Sequence, residues 1–340
     1  MNSRQSEISL SDSWQESHLS PHAVKAARSR GRAAPEEECS LRTCFQRDCD
    51  RIVYSKSFRR LKHKTQVFIA PDGDHYRTRL THTLEVSGIS RTVARALRLN
   101  EDLAEAISLG HDLGHTPFGH VGEEALSHAM EKAVGKRFEH NEQSLRVVRY
   151  LERAGQGLNL CAEVEDGILW HTGNKKPETL EGHTVRIADR IAYVNHDIDD
   201  AVRAGIISRE DLPAADVSVL GDTCSKRIDT LVHDLVDCSW EKGEIMQSPD
   251  MARAMNSLRD FLFEKVYIGR VAKREAGRVA RMVETLFQYF MENPALLPEW
   301  AGRHQENHEA YKVADHIAGM TDRFAIMTFR ELFLPSEWRH

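Results

Sequence analysis

The sequence predicts an all-α protein, and two observations carry that prediction. Helical periodicity dominates from Leu41 onward, and strand signals are confined to one short stretch. Residues 1–38 stand apart. They are rich in Ser and Arg, poor in large apolar side chains, and are expected to form a flexible arm, mobile or docked on a partner. "TQVFIAP" (65–71) reads as a short extended piece and "DGDHYR" after it as a turn, so a small β-hairpin is possible over 66–76. "HTLEVSGISRTVARALRL" puts Leu84, Ile89, Val93 and Leu97 on a rough helical stripe. "NEDLAEAISLGHDLG" opens with Asn100 as N-cap and two acids, and its Leu103, Ile107 and Gly110 share a face. "NEQSLRVVRYLERAG" offers Leu145, Val148 and Leu151, with Gly155 as terminator. The stretch from Gly205 to Leu220, with Pro213 inside it, reads as a connection. Three more helical segments follow, beginning "SKRIDTLVHDLVDC", and no repeat of fixed period occurs.

Bulk properties exclude several classes. The 340 residues are 41% apolar, with no run long enough to span a membrane. The N-terminus lacks a basic-then-apolar leader, which gives a cytoplasmic expectation. Six cysteines form no C-x-x-C pair and are expected as free thiols. A net charge of −6 excludes a globally basic nucleic-acid coat, so an anionic ligand needs a local basic patch. "RRLKHK" (59–64) offers Arg59, Arg60, Lys62 and Lys64 for one, with a solvated face as the alternative.

The eighteen histidines are the compositional oddity, and "HDLGHTPFGH" (111–120) concentrates them. Adjacent helical residues lie about 100° apart, so His111 and Asp112 grip one ion only from different sides and need further ligands. His82, on the preceding helix, is a candidate. In "TVRIADRIAYVNHDIDDAV", Ile187, Ile191, Val194, Ile198 and Val202 form a core stripe. Asp189, Tyr193, His196 and Asp197 share another face, with Arg190 beside them, and line either solvent or a polar pocket.

His82, His111-Asp112 and a later Asp resemble the H…HD…D signature of HD-domain metal-dependent phosphohydrolases. "FRRLKHKTQVF", "RTRLTHTLEV", "HDLGHTPFGHVGEEAL", "FEHNEQSLR" and "IAYVNHDIDDA" are similar, in order, to the deoxynucleoside triphosphate triphosphohydrolases, the dGTPase-like proteins. The resemblance runs from about Thr43 to "IAGMTDRFA". It implies an HD-type helical bundle over 39–220. A C-terminal helical region over 221–340 would complete the nucleotide pocket and the subunit contacts.

The resemblance also implies site roles. His82, His111, Asp112 and Asp189 would hold a divalent metal. Mg or Mn suits such a mixed nitrogen and oxygen set, and so do Fe and Co. His115 would contact the α-phosphate. His120 and Glu123 would form a proton-transfer pair, with His120 protonating the leaving 5′-oxygen, and His140 would be a second catalytic histidine. Arg79, Arg190 and Tyr193 would line the triphosphate, and Gln66 and Asp197 would meet the sugar 3′-hydroxyl. The implied reaction is hydrolysis of a dNTP to deoxynucleoside and tripolyphosphate. The alternatives are an HD enzyme acting on a monophosphate, a cyclic nucleotide or an alarmone, and a nucleotide-sensing module. Implied partners are the dNTP substrate, a possible allosteric dNTP, further copies of the chain as a homo-oligomer, and possibly single-stranded DNA; no membrane is implied.

The sequence departs from the family pattern at Thr116, where a second proline is usual, at Cys49, where arginine is, and at His316, where tyrosine is. His63, His75, His128, His171 and His183 read as surface or structural histidines, and His196 as support for the site or a partner of Asp112 or a phosphate. Lys265, Tyr267 and Arg270 share helical spacing without a catalytic role.

Overall fold

The computed structural model describes residues 13–66, 77–267, 270–298 and 308–335, and the chain is helical throughout them, as the sequence predicts. Among the described residues extended pairing is limited to two isolated antiparallel bridges, Arg32 with Cys161 and Thr65 with Thr78. Residues 67–76 of the expected hairpin lie outside the described residues, as does His75. No helix among the described residues is long and apolar enough to cross a membrane.

The main helices are, in chain order, α1 (Cys44–Val53), α2 (Lys56–Arg60), α3 (Arg79–Ala96), α4 (Glu101–Gly110) and α5 (Gly119–Val134). They continue with α6 (His140–Arg146), α7 (Ala162–Trp170), α8 (Leu180–Arg203), α9 (Ala214–Leu220) and α10 (Cys224–Ser239). Last come α11 (Pro249–Leu262), α12 (Arg270–Glu292), α13 (Glu309–Ala318) and α14 (Asp322–Phe333). They belong to two compact units interleaved in sequence, one holding Met1–Tyr54, His82–His111 and Asn159–Gly269, the other Ser55–Thr81, Asp112–Leu158 and Arg270–His340. These units cut across the sequence divisions drawn after residues 38 and 220.

In the first unit α4 packs against α1, α7 and α8. Its N-terminus forms as the sequence predicts, with the Asn100 side chain accepting the Leu103 N–H at 3.2 Å and Glu101 and Asp102 in the first turn. The approach of α4 to α7 depends on two glycines. A Cβ on Gly110 would stand 2.5 Å from Ile168, and one on Gly167 2.4 Å from Ile107. Each helix thus seats an isoleucine in the other's glycine notch, and both helices end side by side.

Three local expectations differ from the structure. Leu84 is 52% exposed, and the buried face of α3 is Val86, Ser90, Val93 and Leu97. Leu84 sits two residues before Val86, about 200° round the helix axis, which turns it to solvent. The stretch from Gly205 to Leu220 contains a 3-10 turn (Arg209–Asp211) and α9. Pro213, with φ −55°, starts α9 instead of breaking it, because a helix's first N–H groups need no partner. Gly155 has φ 92°, but Arg153 and Ala154 before it are left-handed too, so a run of three ends the helical segment.

The segment expected to be a flexible arm is tied to the first unit over its described part. One carboxylate oxygen of Glu181, at the start of α8, accepts the Val24 and Asn100 N–H groups at 3.0 Å each. Glu163 accepts the Ser29 hydroxyl at 2.8 Å and the Arg30 N–H at 2.6 Å. The Arg32 guanidinium is buried against Asp48 and donates to the Cys44 carbonyl at 2.8 Å.

The second unit has its own core, built from α5, α12, α13 and α14. Leu126, Met130, Val283, Leu286, Phe287, Val313 and Ile317 are buried in it. Burying each such side chain contributes roughly 1.5–3 kcal/mol. Phe118 joins this core, and that anchors the histidine-rich turn above it. Asp322, at the start of α14, accepts the Phe118 N–H at 2.9 Å and the Thr65 N–H at 3.0 Å.

Candidate metal and phosphate site

The first unit brings His82, His111 and Asp189 together. Because α4 and α7 end side by side, each places a histidine just past its last turn, His111 and His171. His111 Nδ1 lies 2.6 Å from the Ser108 carbonyl, and His171 Nδ1 lies 2.7 Å from the Ile168 carbonyl. A carbonyl only accepts, so Nδ1 carries a proton in both rings and His111 is held with Nε2 turned to the site. His82 Nε2 is 3.0 Å from Asp189 Oδ1, and His111 Nε2 is 3.8 Å from the same oxygen. Burial alone would raise the Asp189 carboxyl. The hydrogen bond with His82 and the nearby His111, His82 and His171 rings outweigh it and hold the group at about 2. Two imidazole nitrogens converging on one buried carboxylate oxygen fit a divalent cation.

On α8, Arg190 follows Asp189 directly, and Tyr193 and Asp197 stand one and two turns beyond it. Tyr193 is half-buried, and burial with the Asp189 charge pushes its hydroxyl up to about 12. Arg190 is half-buried, and its guanidinium makes no hydrogen bond among the described residues. Asp197 is buried and accepts a hydrogen bond from the Tyr267 hydroxyl. His196 Nδ1 lies 2.8 Å from Glu85 Oε2 on α3.

The second unit gathers Arg79, Asp112, His115, Glu123 and His140. A Cβ on Gly114 would fall 2.1 Å from the Ser144 nitrogen and 2.6 Å from the His140 carbonyl oxygen, so only glycine lets the turn meet α6. The Gly114 N–H donates to Ser144 Oγ at 2.8 Å. Asp112 Oδ2 accepts from Arg79 Nη1 at 2.7 Å, and Asp112 Oδ1 lies 3.3 Å from His115 Nε2. The His115 ring stacks on His140 with centroids 4.0 Å apart. Ligand atoms of Asp112, His115 and His140 all lie within 4.8 Å of one another.

Glu123 Oε1 is 2.9 Å from the His140 nitrogen and 2.8 Å from His140 Nδ1. His120 is 64% exposed at its side chain and 3.8 Å from Glu123, so the carboxylate's close partner is His140. Burial would lower His140, but the Glu123 carboxylate raises it above the usual imidazole value. Burial and the Arg79 and His140 charges push His115 well below that value, which keeps it neutral. The two stacked imidazoles are therefore biased in opposite directions, His140 toward the cation and His115 toward the neutral ring.

Four buried atoms here have no hydrogen-bond partner among the described residues: Arg79 Nε and Nη2, His115 Nδ1 and Gln66 Oε1. Leaving such groups unpaired costs about 1–3 kcal/mol each, which a polar ligand offsets. The two unpartnered guanidinium nitrogens of Arg79 in this buried place suit an anion.

The structure brings three further residues into play, of which sequence reasoning offered Lys64 only as part of a basic patch and read His171 as structural. His171 lies edge-on to His111 with centroids 5.0 Å apart, Tyr267 meets Asp197, and Lys64 is buried under the turn. Nothing local marks them, since each meets its neighbour only through packing. Of the other histidines, His63 and His128 are exposed, and His183 Nε2 lies 2.8 Å from the Pro177 carbonyl. Among the departures, Thr116 is buried and donates to the Gly119 carbonyl at 3.2 Å. Cys49 faces Asp102, and burial pushes its thiol far up. The His316 ring packs edge-on to Phe290 at 4.8 Å, and burial with the Arg60 charge lowers it to about 4. All six cysteines are free thiols, as expected.

The HD domain model matches residues 79–194 and the phosphohydrolase-associated domain model residues 245–331. A deoxyguanosinetriphosphate triphosphohydrolase-like protein of Caldanaerobacter subterraneus subsp. tengcongensis is 58% identical over 321 residues, covering 94% of each chain. Proteins of the same name from Desulfatibacillum aliphaticivorans and Clostridium tetani are 48% and 45% identical, over 94% and 93% of this chain and 95% and 93% of their own. A solved structure of a hypothetical protein from Aquifex aeolicus aligns at 20% identity with a TM-score of 0.46, covering 86% of this chain and 69% of that one. With His82, the His111–Asp112 pair and Asp189 all inside the matched HD segment, and identity this high over nearly the full length of its relatives, the chain belongs to the deoxyguanosinetriphosphate triphosphohydrolase-like proteins, a family of HD-domain phosphohydrolases.

Proposed function

We propose that this protein hydrolyses a deoxynucleoside triphosphate, dGTP or a close analogue, to deoxynucleoside and tripolyphosphate. The observation that carries the reading is the pair of buried unpartnered donors on Arg79 beside the Asp112 carboxylate, His115 and the hydrogen-bonded His140–Glu123 pair. The relatives' name supplies the nucleotide class.

His82, His111, Asp112 and Asp189 hold a divalent ion, Mg or Mn, in this reading. His111 closes one donor set and Asp112 opens the other, joined by one peptide bond. The ion, when bound, supplies Lewis acidity toward a phosphoryl oxygen and toward water. Arg79, with Arg190 and Tyr193, neutralises the triphosphate. Neutral His115, its Nε2 turned to the Asp112 carboxylate, stands against the α-phosphate. Water attacks the α-phosphorus, and the bond to the 5′-oxygen breaks. Protonated His140, kept charged by Glu123, delivers the proton to that oxygen, and the proton lost by the water restores it. His120, nearer solvent, serves as the proton's exit. Gln66 and Asp197 hold the sugar, with Tyr267 fixing the Asp197 carboxylate. Residues 221–340 complete the pocket and the contacts of a cytoplasmic homo-oligomer, in which an allosteric dNTP or single-stranded DNA binds.

Product analysis tests this directly. The purified protein is given each of the four dNTPs with Mg or Mn, and products are resolved by phosphorus NMR and ion chromatography. Intact tripolyphosphate and deoxynucleoside are expected. Pyrophosphate or orthophosphate would overturn the assignment and point to another nucleotide substrate; metal binding without any product would favour a sensor.

A further inference from the structure

The second unit contains a cavity of about 120 Å³ on the far side of the histidine-rich turn, with Leu113 and Gly114 in its wall. Lys56, Arg60, Lys64 and Arg153 line it, against two carboxylates, Glu152 and Asp315. Both carboxylates are committed. Asp315 accepts from Gln143 at 2.8 Å and from two nitrogens of Arg146 at 3.1 and 2.8 Å. Glu152 accepts the Lys56 and Ser57 N–H groups at 3.2 and 2.7 Å and the Ser57 hydroxyl at 2.6 Å.

The cations are not committed in the same way. The charged groups of Lys56, Arg60 and Arg153 have no hydrogen bond or ion pair among the described residues. Lys64 is buried and donates to the Ala318 carbonyl at 2.7 Å and to the His115 carbonyl, which leaves its third N–H. Burial, with Arg60 and Arg79 nearby and only partly offset by Asp322 and Asp112, lowers its ammonium to about 7. The rim that presents Arg153 is strained: Arg153 and Ala154 have φ 52° and 56°, follow a π-helical turn (Val147–Leu151), and are held there against the usual preference of L-residues.

We propose that this cavity is a phosphoryl-anion site, in which Lys56, Arg60 and Arg153 grip the anion and Lys64 relays its presence to the main chain at His115. The cavity has room for a single phosphoryl group and opens to solvent. The anion is therefore inorganic phosphate, or the terminal phosphate of a longer ligand whose remainder stays outside. An anion accepting the third Lys64 N–H draws the ammonium away from the His115 carbonyl. That shifts the residue whose imidazole meets the α-phosphate, so occupancy alters kcat. The binding claim stands without the reaction proposed above; only the kinetic consequence rests on it.

Equilibrium dialysis with radiolabelled inorganic phosphate, without substrate, tests the site on the full-length protein and on a Lys56→Ala/Arg153→Ala variant. Both side chains are exposed at the rim, so the variant is expected to fold and to keep its turnover within about twofold in phosphate-free buffer. The wild type is expected to bind one phosphate that the variant binds at least tenfold more weakly. Equal number and affinity of sites in both proteins would overturn the proposal. Displacement of the label by tripolyphosphate or by a nucleotide distinguishes a longer ligand from free phosphate. In turnover, phosphate at this site changes kcat in the wild type only, whereas competition with substrate raises KM in both. A KM effect alone would overturn the relay through Lys64.

Discussion

At the scale of single residues, the site is a set of charge states chosen by neighbours. His115 and His140 stack at 4.0 Å, yet burial and the Arg79 charge favour the neutral ring in His115 while the Glu123 carboxylate favours the cation in His140. Replacing His140 by Gln, or Glu123 by Gln, is expected to lower kcat by about 10²–10⁴ while leaving bound metal unchanged, as steady-state rates and metal analysis would show. An unchanged kcat in both variants would return the acid role to His120. His171 acts through His111. Its ring edge packs on His111, a proposed metal ligand, so His171→Ala is expected to weaken metal binding about tenfold in a cobalt titration, with helix content preserved. Glu181 is a third case of a neighbour-set charge, far from the chemistry. Complete burial pushes its carboxyl up to about 7, although one of its oxygens accepts two N–H groups. An unfolded glutamate ionises near about 4.3. Between there and about 7 the folded chain holds the extra proton, so stability falls as pH rises through that window. Glu181→Gln keeps the accepting oxygen and puts an amide where Oε2 has no partner. The variant is expected to be more stable than the wild type at pH 8 and to lose that advantage by pH 5 in urea unfolding; an equal difference at both pH values would refute the account.

At the scale of elements, glycines decide which helix ends meet. Gly110 and Gly167 each take an isoleucine of the facing helix, and the reward is two C-terminal histidines with centroids 5.0 Å apart. Gly114 does the same for the turn and α6. Gly114→Ala inserts a carbon 2.1 Å from the Ser144 nitrogen, so α6 must move and carry His140 with it. The expected cost is about 1–3 kcal/mol of stability and a fall in kcat larger than any change in KM. Thermal melts and steady-state kinetics check both, and a wild-type kcat would mean that the turn tolerates the shift. The turn is also braced from the core, where Phe118 takes φ 65° and its N–H is held by Asp322. The stiffness of "HDLGHTPFGH" is therefore as much a property of α14, two hundred residues later, as of its own glycines and proline.

At the scale of the whole molecule, the proposed ion adds a stabilising ligand to the fold. Saturating Mn or Mg at a hundred times its dissociation constant contributes about 2.7 kcal/mol, so chelation is expected to lower Tm by about 5 °C in calorimetry. His111→Ala should show the lower Tm already and respond to neither metal nor chelator; a variant that still responds would remove His111 from the ligand set. Sequence by itself determined the helical class, the cap at Asn100, the middle of the α8 core stripe at Ile191, Val194 and Ile198, and the order of motifs that marks the family, because periodicity, capping and motif spacing act over a few residues. It did not determine that Leu84 faces solvent, that Pro213 starts a helix, or that residues 13–38 are tied down by Glu163 and Glu181. Nor could it choose between His120 and His140 as the close partner of Glu123, find His171 beside His111, or bury Lys64 under the turn. Each of those depends on which helices touch and at what distance, and hydrogen bonds and burial between segments far apart in the chain exist only once the fold has brought them together.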